Sequence, residues 1–430
     1  MSTLYRARYL VPVTRGVMED GALLVAGGQI VDLGSFQELT AAHPRAAVVD
    51  FGDDSLLLPP LANAHTHLEL THFPDWLRRS RESGDPENFV DWILRVIRVK
   101  RAVAQERLGE SLRAGIRACL AAGTGAVGDI LSWLPGREVY RNAPLYGRLY
   151  LETLGLDPGR NRQMLRLLGH ISEECLAGRL RLGLAPHSPY NLSSEYLEDI
   201  FRYARRHRLP LTTHVAESDA EVQFLREGRG PIAERLYPYV GWTDMLPAPA
   251  EVGPIAYLQQ RDGLVADNLL VHGVHVDAAD CRAIAGAAAS VVLCPRSNQR
   301  LGVGVAPVAD YVAAGVNLAL GTDSLASNES LSVWDELAFA RQAYGSALSP
   351  ETLLRMATCN GAKALGLGAE MGCLEPRYGA HFQVLRMATI PPRGELMDYL
   401  VSPGRTQEVR ALFLAGRDAH FSLDSGQEVC

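Results

Sequence analysis

Lysine is almost missing from this chain of 430 residues: it stands only at Lys100 and Lys363, and arginine supplies the other basic side chains. There is no basic excess either, because the formal net charge is −7 and the sequence pI is near 6.0. A chain without an overall basic field is not expected to hold a nucleic-acid backbone. Closely spaced cysteines are also missing. The seven (Cys119, Cys175, Cys281, Cys294, Cys359, Cys373 and Cys430) are scattered with no CxxC spacing. That excludes a thiolate zinc site or disulfide framework as the working expectation and favours buried reduced thiols. No stretch approaches the ~18 uninterrupted apolar residues of a membrane helix. Met1 to Val13 lacks the long apolar core and small-residue cleavage site of a signal peptide and reads as a strand. The expected compartment is the cytoplasm, with no membrane partner.

What is present is the composition of a folded enzyme, 47% hydrophobic and 21% charged. The first ~55 residues read as short strands and turns, with Leu23 to Val25, Gly27-Gly28 and Gln29 to Leu33 forming a hairpin pattern. The last ~50 look alike, with strands at His381 to Leu385 and Val409 to Leu414 around an Ala415-Gly416-Arg417 turn. Two all-β ends suggest one small β-sandwich domain made from residues 1–56 and 375–430. The middle, 57–374, alternates. Apolar strand-like runs fall at Leu56–Ala64, Ala126–Ile130, Leu145–Thr153, Leu180–Pro186, Pro210–Val215, Asn268–Val274, Ser290–Cys294 and Asn317–Gly321. Helical periodicity separates most of them, over Glu87–Ala122, Asn161–Gly178, Ser193–Arg208, Ala278–Ala287 and Val305–Ala314. Eight buried strands alternating with helices predict an α/β fold, a closed parallel (β/α)8 TIM-like barrel. An open doubly wound sheet is the alternative, but no Gly-rich phosphate turn follows the first strand. The segment Gly230–Ala266, rich in proline, is too long for a plain connection and reads as an insertion or lid over the barrel mouth.

Strand C-termini converge on one face of such a barrel, and polar residues there read as catalytic. The first strand runs into His65-Thr66-His67, whose two imidazoles share a face because they are two residues apart on a strand. The fifth ends in His214, followed by Glu217. The sixth carries His272 and His275, and the eighth ends in Asp323. Three neutral imidazoles and a carboxylate, from His65, His67, His214 and Asp323, suit one divalent ion such as Zn²⁺. Fe²⁺ or Mn²⁺ tolerate the same set.

The text around these positions resembles the amidohydrolase superfamily, in its branch of adenosine-type and S-adenosylhomocysteine-type deaminases. The matching stretches are Pro59-Pro60-Leu61-Ala62-Asn63-Ala64-His65-Thr66-His67, His187-Ser188-Pro189-Tyr190, His214-Val215-Ala216-Glu217, Val271-His272-Gly273-Val274-His275 and Gly321-Thr322-Asp323-Ser324. Ala357 to Gly366 is similar to the closing helix of that family. The resemblance implies a hydrolytic deaminase of a purine-type small molecule. His65, His67, His214 and Asp323 would bind the metal. Glu217 would be the proton shuttle, His272 would orient water and substrate, Asp323 would double as a base, and His187 would hydrogen-bond the ring. His275 is left as structural.

Here the lysine shortage carries an argument. Binuclear members of that superfamily bridge two metals with a carboxylated lysine on the fourth strand, which in this chain reads Leu180-Arg181-Leu182-Gly183-Leu184-Ala185-Pro186-His187. With Lys100 and Lys363 both in predicted helices, one metal is expected. Leu68-Glu69-Leu70 together with Phe89-Val90-Asp91-Trp92-Ile93 resembles the members of the branch that act on 6-aminodeoxyfutalosine in menaquinone synthesis. Glu69 would then accept from ribose hydroxyls, and Arg148 or Arg296 could take the substrate's carboxylate. S-adenosylhomocysteine, methylthioadenosine, adenosine or guanine are alternative substrates. Cyclic amide hydrolysis and a non-catalytic barrel are further alternatives, and a homodimer is the default assembly.

Overall fold

A computed structural model describes residues 1–173 and 179–419 of the chain. The end of the expected Asn161–Gly178 helix, the tail beyond 419, Cys175 and Cys430 lie outside the described residues. The cysteines within them, Cys119, Cys281, Cys294, Cys359 and Cys373, are unpaired, and all but Cys359 are buried.

Eight parallel strands form one sheet in strict chain order: Leu61–Thr66, Thr124–Leu131, Tyr146–Thr153, Leu180–Pro186, Leu211–Val215, Asn268–His272, Ser290–Leu293 and Asn317–Leu320. They are called here the first to eighth barrel strands. A parallel bridge between Thr66 and Asp323 joins the last to the first. The Thr66 hydroxyl also donates to the Asp323 carbonyl, 2.9 Å away. Several strands are buried along their whole length. This explains why they read as continuous apolar runs and not as alternating ones. Small and branched side chains, among them Ala62, Ala126, Ile130, Ala185, Val271, Val292 and Ala319, fill the interior. The helix Cys359–Ala364 packs Ala362 into the same core, which is where the expected closing helix falls. Leu365, one residue past its end, joins that core as well.

Strands from both ends of the chain build a second, mixed sheet of eight. Its core stacks Tyr5, Phe382 and Phe413, with the last two rings parallel at 4.6 Å between centroids. The apolar run Leu56–Ala64 divides between the two sheets, which single-strand reading did not foresee. Ser55–Leu58 pairs with Ser2–Leu10 and Phe382–Met387, whereas Leu61–Thr66 opens the barrel. Pro59-Pro60 separates them, because neither proline has an N–H to continue a ladder.

The periodic run Glu87–Ala122 is likewise two helices, Phe89–Arg101 and Gln105–Ala121. No proline or glycine marks the break at Ala102-Val103-Ala104. Tertiary packing decides it: Leu112, Ile116 and Leu120 of the second helix bury in the main core, whereas the first lays Phe89, Trp92 and Ile93 along the barrel mouth. The inserted segment folds into short helices, including Ile232–Leu236, Tyr237–Val240 and Pro254–Gln260, and contributes Leu236, Val240 and Trp242 to the mouth. No helix among the described residues is long and apolar enough to cross a membrane.

Candidate active site at the barrel mouth

A cavity of about 580 Å³ opens at the C-terminal ends of the barrel strands, within the usual range for small-molecule sites. His67, Glu69, His187, His214, Glu217, His272 and Asp323 all reach it. His65 lies just beneath, 1% exposed.

The imidazoles and the carboxylate point at one another. His67 and His214 bring their Nε2 atoms to 3.4 Å. His65 Nε2 and His67 Nε2 stand 3.6 and 3.8 Å from Asp323 Oδ1. Candidate ligand atoms cluster in two overlapping groups, His65 with His67 and Asp323, and His65 with His214 and His272. Partners behind the site fix which nitrogens are free. A carbonyl can only accept, so the contact of His214 Nδ1 with the His187 carbonyl at 3.0 Å places the ring proton on Nδ1 and leaves the Nε2 lone pair facing inward. His65 Nε2 is buried and has no hydrogen-bond partner. Ser297 and Ser327 donate to Asp323 Oδ2 at 2.6 and 2.8 Å, which turns Oδ1 toward the imidazoles. Several converging lone pairs and an orphaned buried nitrogen are the environment a divalent cation satisfies. The residues present fit such an ion.

Burial dominates the electrostatics. It pushes His67 and His214 well below the usual imidazole range, with neighbouring imidazoles adding to the effect. His187 and His272 are lowered to about 4, again chiefly by burial. Burial acts in the opposite direction on Glu217, whose carboxyl is raised well above its ordinary value, helped by Asp323 and Glu221. Glu217 Oε1 lies 3.4 Å from His272 Nε2. The other nitrogen of His272 is held by the Asn298 carboxamide oxygen at 2.9 Å. Strained backbone sits at the same places. Ala216, His272 and Asp323 adopt left-handed φ values of 53°, 73° and 54°, which cost energy in residues with a Cβ and recur at functional sites.

His187 follows the fourth strand and lines the cavity. The Asn191 amide accepts from Ser188 N–H through its oxygen and so offers its nitrogen to His187 Nδ1 at 2.7 Å. The His187 proton is therefore on Nε2, directed at the cavity. Glu69 reaches the cavity too, but its oxygens accept from Ser132 Oγ at 2.6 Å, Trp133 N at 3.0 Å, Ser132 N at 3.2 Å and Lys100 Nζ. Lys100 is helical, as expected, yet its ammonium comes down to the cavity wall. His275 does not line the cavity; its Nε2 lies 2.7 Å from the Val303 carbonyl and its Nδ1 beside Asp219.

Neither candidate arginine lines the cavity. Arg148 points to the barrel's opposite end, beside Gly366, and Arg296 turns to Glu329. The arginines at the mouth are Arg101 and Arg160. Sequence reasoning passed over these two, and over Lys100 and Glu152. Glu152 had a readable signal, an acid next to the end of the third strand. The others come from helices, where residue spacing does not mark the barrel face.

A parallel barrel with imidazoles and a carboxylate gathered at its C-terminal mouth defines the class of metal-dependent barrel hydrolases. Within that class, the family model described as amidohydrolase family matches residues 56–417, and the chain belongs to that family. The chain is 34% identical over 366 residues to an aminodeoxyfutalosine deaminase of Deinococcus radiodurans, covering 82% of each protein. It is 30% identical over 433 residues to a 5-methylthioadenosine/S-adenosylhomocysteine deaminase of Syntrophobacter fumaroxidans, covering 93% of this chain and 88% of that one. Its fold matches the crystal structure of Helicobacter pylori aminofutalosine deaminase in complex with methylthio-coformycin. That match has a TM-score of 0.85 and 24% identity, over 97% of this chain and 99% of the other.

Proposed function

We propose that this protein is a hydrolytic deaminase that replaces the 6-amino group of an adenine-bearing nucleoside with oxygen, and that its substrate is 6-aminodeoxyfutalosine. The observation that carries the reaction is the meeting of an inward-facing ligand cluster with the buried carboxyl of Glu217 at the floor of one cavity. Two relatives of at least 30% identity are named as deaminases, of aminodeoxyfutalosine and of 5-methylthioadenosine/S-adenosylhomocysteine, which supports the same reading.

His65, His67, His214 and Asp323 would hold a single divalent ion, and three imidazoles with one carboxylate suit the borderline Zn²⁺. When bound, such an ion would supply Lewis acidity that lowers the pKa of water toward about 7. Glu217 takes the proton of the attacking water and delivers it to the ring nitrogen beside the reacting carbon, so that the ring accepts the new C–O bond. Asp323 passes the water's second proton to the amino group, the C–N bond breaks, and ammonia leaves. His272, fixed through Asn298, orients the water. His187 donates from Nε2 to a ring acceptor and holds the base in register.

The rest of the cavity supports a substrate with a large apolar arm ending in an anion. Phe89, Trp92, Ile93, Leu154 and Met164 line the wall, with Arg101 and Arg160 at the rim. An ammonia-release assay on metal-replete protein tests the proposal. The panel is 6-aminodeoxyfutalosine, S-adenosylhomocysteine, methylthioadenosine, adenosine and guanine. Preference for the first supports it, preference for another purine keeps the chemistry and moves the substrate, and no ammonia from any overturns it.

A further inference from the structure

We infer that Glu152 reads the sugar of the substrate, accepting hydrogen bonds from its vicinal 2′- and 3′-hydroxyls. This rests on the deaminase reading above and extends it to a residue that the motif text leaves unassigned.

Four carboxylates reach the cavity; hydrogen bonds fill those of Glu69 and Asp323, and Glu217 is committed to the reaction. Glu69 accepts from Lys100, Ser132 and Trp133. Asp323 is held by Ser297 and Ser327 and faces the imidazoles. Glu217 sits against His272. Glu152, next to last in the third barrel strand, accepts no hydrogen bond among the described residues, although its side chain is only 12% exposed. An ionised carboxylate has about four acceptor sites, and burying one unfilled is costly. Burial accordingly raises its pKa to about 7, against the pull of Lys100. A ligand with donors would relieve that cost.

Position and chemistry say which donors. Glu152 Oε1 stands 3.9 Å from His187 Nε2, the nitrogen offered to the purine. A 9-substituted adenine has hydrogen-bond donors only at its 6-amino group, and that group must lie against Glu217 and Asp323 to react. The remaining ring nitrogens, N1, N3 and N7, are acceptors. The donors left for a carboxylate beside His187 are therefore the sugar hydroxyls. A vicinal diol presents two O–H groups to the two carboxylate oxygens. Leu154, Met164 and Arg160 line the same cavity, whose volume of about 580 Å³ would also take a 5′ substituent. Glu69, already saturated, then acts as a positioning residue that anchors Lys100.

The test compares the preferred substrate of the panel with its 2′,3′-dideoxy counterpart, on wild-type protein and Glu152→Gln. Hydrogen bonds to a charged group translate to roughly 10- to 100-fold in kcat/KM. Wild type should favour the diol by at least that factor. The variant should lose it on the diol and stay within about threefold of wild type on the dideoxy compound. Equal losses on both compounds would indicate a packing role and overturn the inference. Wild-type indifference to the diol would do so without any variant, so a Glu152→Gln protein that failed to fold would not rescue it. Wild-type protein inert on every adenine nucleoside would instead remove the deaminase reading, and this inference with it.

Discussion

His67 and His214 face each other through Nε2 atoms 3.4 Å apart, and the proton of His214 is committed to the His187 carbonyl on the other side of its ring. With the His214 Nε2 lone pair directed at His67, a cation between the two rings would be bound by both nitrogens. Chelation should therefore abolish ammonia release, lower the Tm, and be reversed by Zn²⁺. The stripped protein should also be acid-sensitive. His187 and His272 are held near pKa 4 when folded, against about 6.5 when unfolded. Between those values the unfolded chain binds protons that the folded one does not, so stability is present above about pH 6.5 and falls as the pH drops toward 4. Thermal melts of chelated protein at pH 7.5 and 5 check this. Identical Tm values would mean that the imidazoles are not buried in the neutral form.

Glu217→Gln removes the proton carrier and leaves the ligand cluster whole. Turnover should drop roughly 10²- to 10⁴-fold, with metal content by elemental analysis unchanged. An active variant would overturn the assignment of Glu217 as shuttle. A variant that lost its metal would instead move Glu217 into the ligand set.

Ser297 and Ser327 touch only the outer oxygen of Asp323 among the proposed ligands. Partners of this kind orient metal ligands and typically change affinity 10- to 100-fold when lost. The double variant Ser297→Ala/Ser327→Ala should weaken metal binding by about that factor, read by competition with a chelating dye. Activity at saturating metal should fall far less than in Glu217→Gln.

Arg160→Met keeps an apolar stem at the mouth and removes the guanidinium. With the anionic arm of 6-aminodeoxyfutalosine seated there, KM for that compound should rise about tenfold, the weight of one charge-assisted contact. KM for methylthioadenosine, which has no anion, should hardly move. Equal changes for both would place the arm elsewhere, with Arg101 the next residue to test.

Much of this protein can be read along the chain. The strand order, the small sheet from both ends and the inward histidines follow from local pattern. Strand periodicity sets which residues share a face, and barrel closure brings strand ends together whatever loops lie between. Those two facts place His65, His67, His214, His272 and Asp323 at one mouth. The divided run at Pro59-Pro60 also had a local cause, the missing N–H groups, although only pairing with Ser2–Leu10 and Phe382–Met387 shows that its first half leaves the barrel.

Tertiary structure decided which polar groups are already satisfied. Glu69 and Glu152 look alike as text, each an acid beside a strand end. Lys100, 31 residues further on and in a helix, together with Ser132 and Trp133, fills the oxygens of Glu69, whereas no described residue donates to Glu152. The same holds for the ring proton of His214, set by a carbonyl 27 residues earlier, and for the arginines that reach the mouth. Side-chain periodicity is a property of neighbours in sequence, and the sequence alone determined it. Hydrogen-bond saturation is a property of neighbours in space, so it was settled only when the chain had folded.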